Sequence, residues 1–304
     1  MVNTYPNLYL VGAPKCGTTS LFQYFSSHPS VYTPSFKKEP NYFNFDLTKN
    51  MTGICDKERY LSIYSNWASE TYALDASVWY LFSKRAAQLI HKASPNAKIV
   101  VALRNPSSQM ISLHAQRYAS GNEDIEDPRE AFHAESDRRR GKRIPKRVHI
   151  ESGLLYSEVA NYPPQLKRYF DIFGRENVYV IILEEFINNP RAEYGALCQF
   201  LDIAPNFPRS FLAHNAYKQP RIKLLPKHLR SLRSVPFLRM LFRLLIPSFG
   251  ARTLLGEKIM RLNYKYVKKP GEISAIESEL APEMSDVVRE TEELLGRNLP
   301  WTAS

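Results

Sequence analysis

The sequence predicts an α/β fold with a mostly parallel sheet, on three observations. Short β-favouring apolar runs, Leu8 to Val11, Tyr72 to Asp75, Ile99 to Leu103 and Val178 to Leu183, are each flanked by polar or turn residues. Longer stretches of helical pattern separate them, as when parallel strands are joined by crossover helices. A glycine-containing loop follows the first run and leads directly into a helix start. Helices are expected from near Thr18, Lys84, Ser107, Tyr156, Arg191 and Pro282, several opened by Ser, Thr or Pro, which suit the unpaired N–H groups of a first turn. With 304 residues, 44% hydrophobic and 23% charged, the chain can bury a sizeable core, and one domain over 1–304 is expected.

The net charge of +11 bears on partners and not on fold. Excess Lys and Arg attract phosphate, sulfate, acidic glycans, nucleic acid or anionic lipid alike, so charge alone selects none of them. Part of it lies in one run, Arg138 to Arg147 (RRRGKRIPKR), which reads either as a solvated loop or as an anionic-substrate rim. The surrounding segment, 121–152, is polar, charged and aperiodic, and is expected to be mobile or a lid. After Ile222 basic residues interleave with Leu, Phe and Ile, predicting a basic, helical or irregular cap over 222–304. Pro226, Pro236 and Pro247 cut it into short pieces, which favours cover for a core or cleft over a long membrane-surface helix. Peripheral membrane contact through this segment is the other reading.

The opening MVNTYPNLYLVG lacks a basic stretch followed by an apolar one, and no apolar run approaches a membrane span, so a cytoplasmic location is expected. Cys16, Cys55 and Cys198 are far apart and have no CxxC spacing, which points to neither a disulfide framework nor a zinc site.

The loop is Gly12-Ala13-Pro14-Lys15-Cys16-Gly17-Thr18-Thr19-Ser20-Leu21. Between a strand and a helix, such a loop presents backbone N–H groups to a phosphate. Its glycine spacing equals that of a P-loop, so the sheet is expected to be P-loop-like. Thr18, however, stands where a nucleotide triphosphatase needs its lysine, and the only lysine, Lys15, sits inside the loop. A cation there can lie beside the bridging oxygen of a phosphosulfate while hydroxyls and the helix N-terminus hold the 5′-phosphate. At the end of KIVVALR, where P-loop triphosphatases usually place a magnesium-binding Asp, the residue is Arg104. Asn105-Pro106 and a helix carrying Ser107, Ser108 and Ser112 follow, offering a guanidinium and hydroxyls to a second phosphate. An arginine here favours an anion over a metal, and fixed cations can stabilise sulfuryl transfer without a divalent ion.

These residues resemble the sulfotransferases dependent on 3′-phosphoadenosine 5′-phosphosulfate (PAPS), in particular the branch of the heparan-sulfate enzymes and their bacterial relatives. The resemblance spans roughly Tyr9 to Pro205 and rests on GAPKCGTTSL, KKEPNYFNF, LDASVWYL, LRNPSSQMISLH, and YPPQLKRYFDIFGRENVYVIILEEF with its following FLDI. HNAYKQPR and ETEELLGRNLPW are similar more loosely. The resemblance implies the sulfotransferase fold, with PAPS as co-substrate, adenosine 3′,5′-bisphosphate as product and no metal. It makes 12–21 the 5′-phosphosulfate loop, with Lys15, Cys16, Gly17, Thr18, Thr19 and Ser20 as binders, and 103–114 the 3′-phosphate motif, with Arg104 and Ser112 as binders.

The same resemblance makes Glu39, just before the aromatic pair Tyr42 and Phe43, the candidate base, with Lys15 stabilising the leaving phosphate. Tyr42, Phe43, Trp79 and Tyr80 read equally as the acceptor wall or as aromatic packing, and Asp75 and Ser77 are further candidate substrate-side residues. Asp75-Ala76-Ser77 replaces the Glu-Lys that heparan enzymes often carry before the small residue, so their supporting lysine is missing. Arg221, or the 265–269 stretch, is the candidate for closing over the nucleotide. His28 reads as the end of the first helix and His114 as packing or nucleotide-side, neither as a base. The implied acceptor is a glycan, a glycolipid or a hydroxylated small molecule, with no nucleic acid partner. Two other readings are a P-loop kinase or triphosphatase using Asp75 for magnesium, and a non-enzymatic module binding acidic glycan or membrane through its basic end.

Overall fold

A computed structural model describes residues 4–35, 38–47, 54–146, 148–208, 211, 217–220, 264–267 and 271–301. Arg221, most of the basic cap and the side chains of the 265–269 stretch lie outside the described residues. The sheet contains β1 (Leu8–Gly12), β2 (Val31–Tyr32), β3 (Tyr72–Asp75), β4 (Lys98–Leu103) and β5 (Val178–Ile182), in the order β2-β3-β1-β4-β5. Every pairing in it is parallel. Crossovers on both faces explain why its central strands read as unbroken apolar runs. All five residues of β1 and the last five of β4 are buried. The four strands read from the sequence are present within a residue at each end, and the two-residue β2 is too short to carry a pattern.

The helices are α1 (Thr18–Ser26), α2 (Lys57–Ser62), α3 (Ala86–Ala93), α4 (Pro106–Ser120), α5 (Pro128–His133), α6 (Glu135–Arg139), α7 (Tyr156–Ala160), α8 (Tyr162–Phe173), α9 (Leu183–Asn188) and α10 (Pro190–Phe200). Two strands, β6 (Tyr217–Pro220) and β7 (Tyr264–Val267), pair antiparallel, and α11 (Gly271–Leu280) and α12 (Ser285–Leu295) close the described chain. From β1 the chain goes first to the edge strand β2, returns to β3 beside β1, and then crosses over so that β4 lies on the other side of β1. The order therefore reverses between β1 and β4, and an open α/β sheet binds its ligand at the carboxyl ends of the two strands that flank such a reversal. Those ends carry Gly12 and Arg104.

The segment 121–152 is not without regular structure. It contains α5, opened by Asp127, whose carboxylate accepts the Arg129 N–H at 2.9 Å, and α6. Arg138 is only 5% exposed; its guanidinium meets Glu123 at 2.8 Å and donates to the carbonyls of Ala131 and Leu154. Tyr156 donates to the other Glu123 oxygen at 2.7 Å. Arg139, Arg140 and Arg143 pair with Glu158, Asp137 and Glu130. These partners tie four arginines of the run to acidic side chains of the fold, Arg138 in a buried pair and the other three in exposed ones. A run of like charge looks solvated because its partners lie elsewhere in the chain.

Candidate functional site

The loop between β1 and α1 is shaped by two glycines. Gly12 has φ +143, and a Cβ on it would lie 2.5 Å from the Val78 carbonyl oxygen. Gly17, at φ +81, begins α1, and a Cβ there would lie 2.6 Å from Leu183 Cδ1. Both conformations disfavour an L side chain, at roughly 1–3 kcal/mol each. Gly12→Ala should therefore lower the thermal unfolding midpoint more than Gly17→Ala, because the Val78 carbonyl is backbone whereas the Leu183 side chain can move. Equal midpoints for the two variants would refute this.

Lys15 is also left-handed, at φ 70. The Ala13 N–H donates to the Ala102 carbonyl at 2.6 Å, tying the loop to the end of β4, and Gln109 of α4 donates to the Pro14 carbonyl at 3.1 Å. The N-terminus of α1 has no side-chain cap and no acidic residue in its first turn. That leaves it suited to an anion. Thr19 is exposed and Ser20 half-buried, while Thr18 is 5% exposed. Cys16 is buried, and burial pushes its thiol up to about 12, so only its backbone can serve a ligand.

The second element is the turn after β4. The Arg104 carbonyl accepts Tyr162 Oη–H at 3.0 Å, and the Asn105 N–H donates to Glu184 at 3.1 Å. Asn105 Nδ2 donates to the Trp301 carbonyl at 3.2 Å, and Trp301 Nε1 donates to the other Glu184 oxygen at 2.9 Å. The closing LPW motif thus helps hold the turn that presents Arg104. Asn105 caps α4 by accepting the Ser108 N–H at 3.2 Å, and Pro106 opens it, as the sequence signals. Of the three serines read as offering hydroxyls to a phosphate, Ser107 is buried and Ser108 donates to Glu277 of α11 at 2.5 Å. Ser112 remains half-buried, one turn beyond Ser108.

The third element is the segment 38–43. Lys38 Nζ lies 3.4 Å from Thr18 Oγ1, 3.2 Å from Thr19 Oγ1 and 3.5 Å from Glu39 Oε1. One ammonium therefore joins the start of α1 to the carboxylate proposed from sequence as the base. The Lys38 and Glu39 side chains are 21% and 34% exposed, and burial lowers the Lys38 pKa, with Glu39 opposing that shift. Lys38 was not singled out from the sequence as a site residue, because only the fold brings it to α1.

The expected acceptor wall is corrected in part. Asp75, Ser77 and Tyr80 are fully buried and Phe43 is 4% exposed, so none of them presents a side chain to an acceptor. Asp75 accepts from Ser77 N–H at 3.0 Å, Ser77 Oγ–H at 2.6 Å, Tyr60 Oη–H at 2.8 Å and Tyr80 Oη–H at 2.9 Å, which also leaves no lone pair for magnesium. Tyr42 and Trp79 are half-buried. Tyr42 stacks on Tyr60 with centroids 4.2 Å apart, and the Arg117 guanidinium lies 5.1 Å from the Trp79 ring centroid. His28 accepts from the Ser30 N–H and lies 3.0 Å from the Ala204 carbonyl. His114 is buried beside the Ile125 carbonyl, and burial lowers its pKa. Neither histidine is placed as a base.

The order reversal beside β1, the two-glycine loop with its lysine displaced and an arginine at the end of β4 define a P-loop-like protein whose loop lacks the triphosphatase lysine and is suited to an anion. Sequence comparison gives the family: the Sulfotransferase domain matches residues 6–228, and the chain belongs to that family. It is 22% identical over 255 residues to carbohydrate sulfotransferase 15 of Homo sapiens, covering 66% of this chain and 44% of that protein. It is 27% identical over 112 residues to heparan sulfate glucosamine 3-O-sulfotransferase 6 of Homo sapiens, covering 37% of this chain and 30% of that protein. The chain thus spans less than half the length of these curated relatives. A solved sulfotransferase from Alicyclobacillus acidocaldarius is 28% identical, with a TM-score of 0.69 over 97% of this chain and 98% of that one.

Proposed function

We propose that the chain transfers a sulfuryl group from PAPS to a hydroxyl or amine of a carbohydrate or glycolipid acceptor by in-line displacement. The observation that carries this reading is the Lys38 ammonium joining the Thr18 and Thr19 hydroxyls to Glu39, since a base must stand beside the phosphosulfate loop to serve the reaction. Lys15, the first N–H groups of α1 and the Thr hydroxyls hold the 5′-phosphosulfate, while Arg104 and Ser112 hold the 3′-phosphate. Glu39 takes the acceptor proton as the acceptor oxygen or nitrogen bonds to sulfur. The bond from sulfur to the bridging phosphate oxygen breaks, its electron pair stays on that oxygen, and Lys15 stabilises the charge. In this reading Lys38, which lies near the Thr18 and Thr19 hydroxyls and Glu39, meets the sulfuryl oxygens.

A carbohydrate acceptor is supported by the similarity to a carbohydrate sulfotransferase and a heparan sulfate glucosamine 3-O-sulfotransferase, and Tyr42 and Trp79 remain candidates for its wall. Incubation with 35S-labelled PAPS and a panel of glycans, glycolipids and small hydroxylated compounds tests the reading. It predicts label in a glycan or glycolipid together with release of adenosine 3′,5′-bisphosphate. Label confined to small metabolites would overturn the acceptor class, and no transfer to any acceptor would overturn the activity.

A further inference from the structure

We infer that Asp75 is a positioning residue for the transfer: its carboxylate orients the Ser77 and Tyr80 hydroxyls so that they accept backbone N–H groups of the segment carrying Glu39. The inference rests on the reading of Glu39 as the base.

Each hydroxyl has one hydrogen to give. The Asn41 N–H donates to Ser77 Oγ at 2.9 Å, and the Tyr42 and Phe43 N–H groups donate to Tyr80 Oη at 2.9 and 3.4 Å. Those backbone groups can only donate, so both hydroxyl hydrogens must point away from them. Asp75 receives both, on different oxygens, together with the Ser77 N–H and the Tyr60 hydroxyl. A carboxylate accepting four donors is filled, and only its ionised form accepts them all. A proton on Asp75, or an amide in its place, brings a hydrogen of its own and turns one hydroxyl back toward a backbone N–H. A fully satisfied buried network holds one geometry, and a half-satisfied one does not.

The pin reaches Glu39 over a short, stiff span. Pro40 fixes φ between Glu39 and Asn41, its carbonyl accepts the Ile54 N–H at 3.0 Å, and Asn41 Nδ2 donates back to the Glu39 carbonyl at 3.1 Å. The groups around Asp75 are Ser77, Tyr60 and Tyr80, with Tyr9 of β1, Tyr64 after α2 and Tyr169 of α8 farther off. Each of these is neutral at neutral pH. Burial raises the Asp75 carboxyl to about 6, against the hydrogen bonds that lower it. The ordered form is therefore populated above that pH and lost below it.

Steady-state kinetics of Asp75→Asn in the full chain, with binding of adenosine 3′,5′-bisphosphate measured in parallel, tests the inference. The expected result is a kcat lower by on the order of 10²-fold, the scale of an ångström-level misplacement, with nucleotide Kd unchanged. The wild type should lose kcat as pH falls through about 6, and the variant should lack that limb. Ser77→Ala, which removes only the hydroxyl under Asn41, should fall in the same direction and stands in if Asp75→Asn does not fold. Wild-type kcat in the folded variants, or a loss of nucleotide affinity matching the loss of kcat, would overturn the positioning role. Glu39→Gln is assayed alongside: if it stays active, the base assignment fails; if it is inactive while the Asp75 and Ser77 variants turn over normally, only the present inference fails.

Discussion

Lys15→Ala is expected to lose both nucleotide affinity and turnover. A hydrogen bond to a charged group contributes about 1.5–3 kcal/mol, so Kd for adenosine 3′,5′-bisphosphate should rise by roughly 10- to 100-fold. Removing a group aimed at the charge that develops on the departing phosphate oxygen costs about 10²–10³ in kcat on top of this. Both losses follow from one placement: Lys15 sits at φ 70 inside a loop whose two glycines and Ala13–Ala102 hydrogen bond fix it beside the end of β4. Calorimetric titration and initial rates separate the two effects. A variant that binds nucleotide normally would remove Lys15 from the phosphosulfate site.

Glu39→Gln is expected to separate these steps. Glutamine keeps the shape and removes the base, so kcat should fall by roughly 10²–10⁴-fold, the usual contribution of a positioned general base. Nucleotide binding should be largely kept, since the donor's phosphates are assigned to the loop and to Arg104. Lys38, relieved of its neighbouring carboxylate, still has the Thr18 and Thr19 hydroxyls as partners. Equal losses of nucleotide affinity in Lys15→Ala and Glu39→Gln would contradict the division of labour between them.

The loop and the Arg104 turn were legible because their signals are local: strand, glycines and helix start are contiguous, and Asn105-Pro106 announces the next helix. Glu39 came from family resemblance, since nothing within KKEPNYFNF says what it faces. Lys38 was illegible as a site residue because its partners lie some 20 residues back, on α1. Asp75 and Ser77 read from the sequence as substrate-side residues, and Phe43 and Tyr80 as either wall or packing; all four are buried. An aromatic-rich motif beside a site looks the same whether it lines the cleft or packs the core behind it, and only burial separates the two. The start of α8 was hidden within a longer motif, because Pro163 and Pro164 look like breakers although proline suits the first turn of a helix. The basic run 138–147 concealed its buried member because Glu123 stands 15 residues from Arg138.

In the proposed reaction the loop and Arg104 together bind a nucleotide with a 5′- and a 3′-anion and need no divalent ion to do so. Thermal unfolding with adenosine 3′,5′-bisphosphate in the presence of a chelator, set against ATP with magnesium, tests it most directly. At about 100-fold excess over Kd a ligand that binds only the folded chain stabilises it by about 2.7 kcal/mol. A clear upward shift with the bisphosphate under chelation, diminished in Arg104→Ala, is the predicted result. Stabilisation by ATP with magnesium and none by the bisphosphate would contradict it.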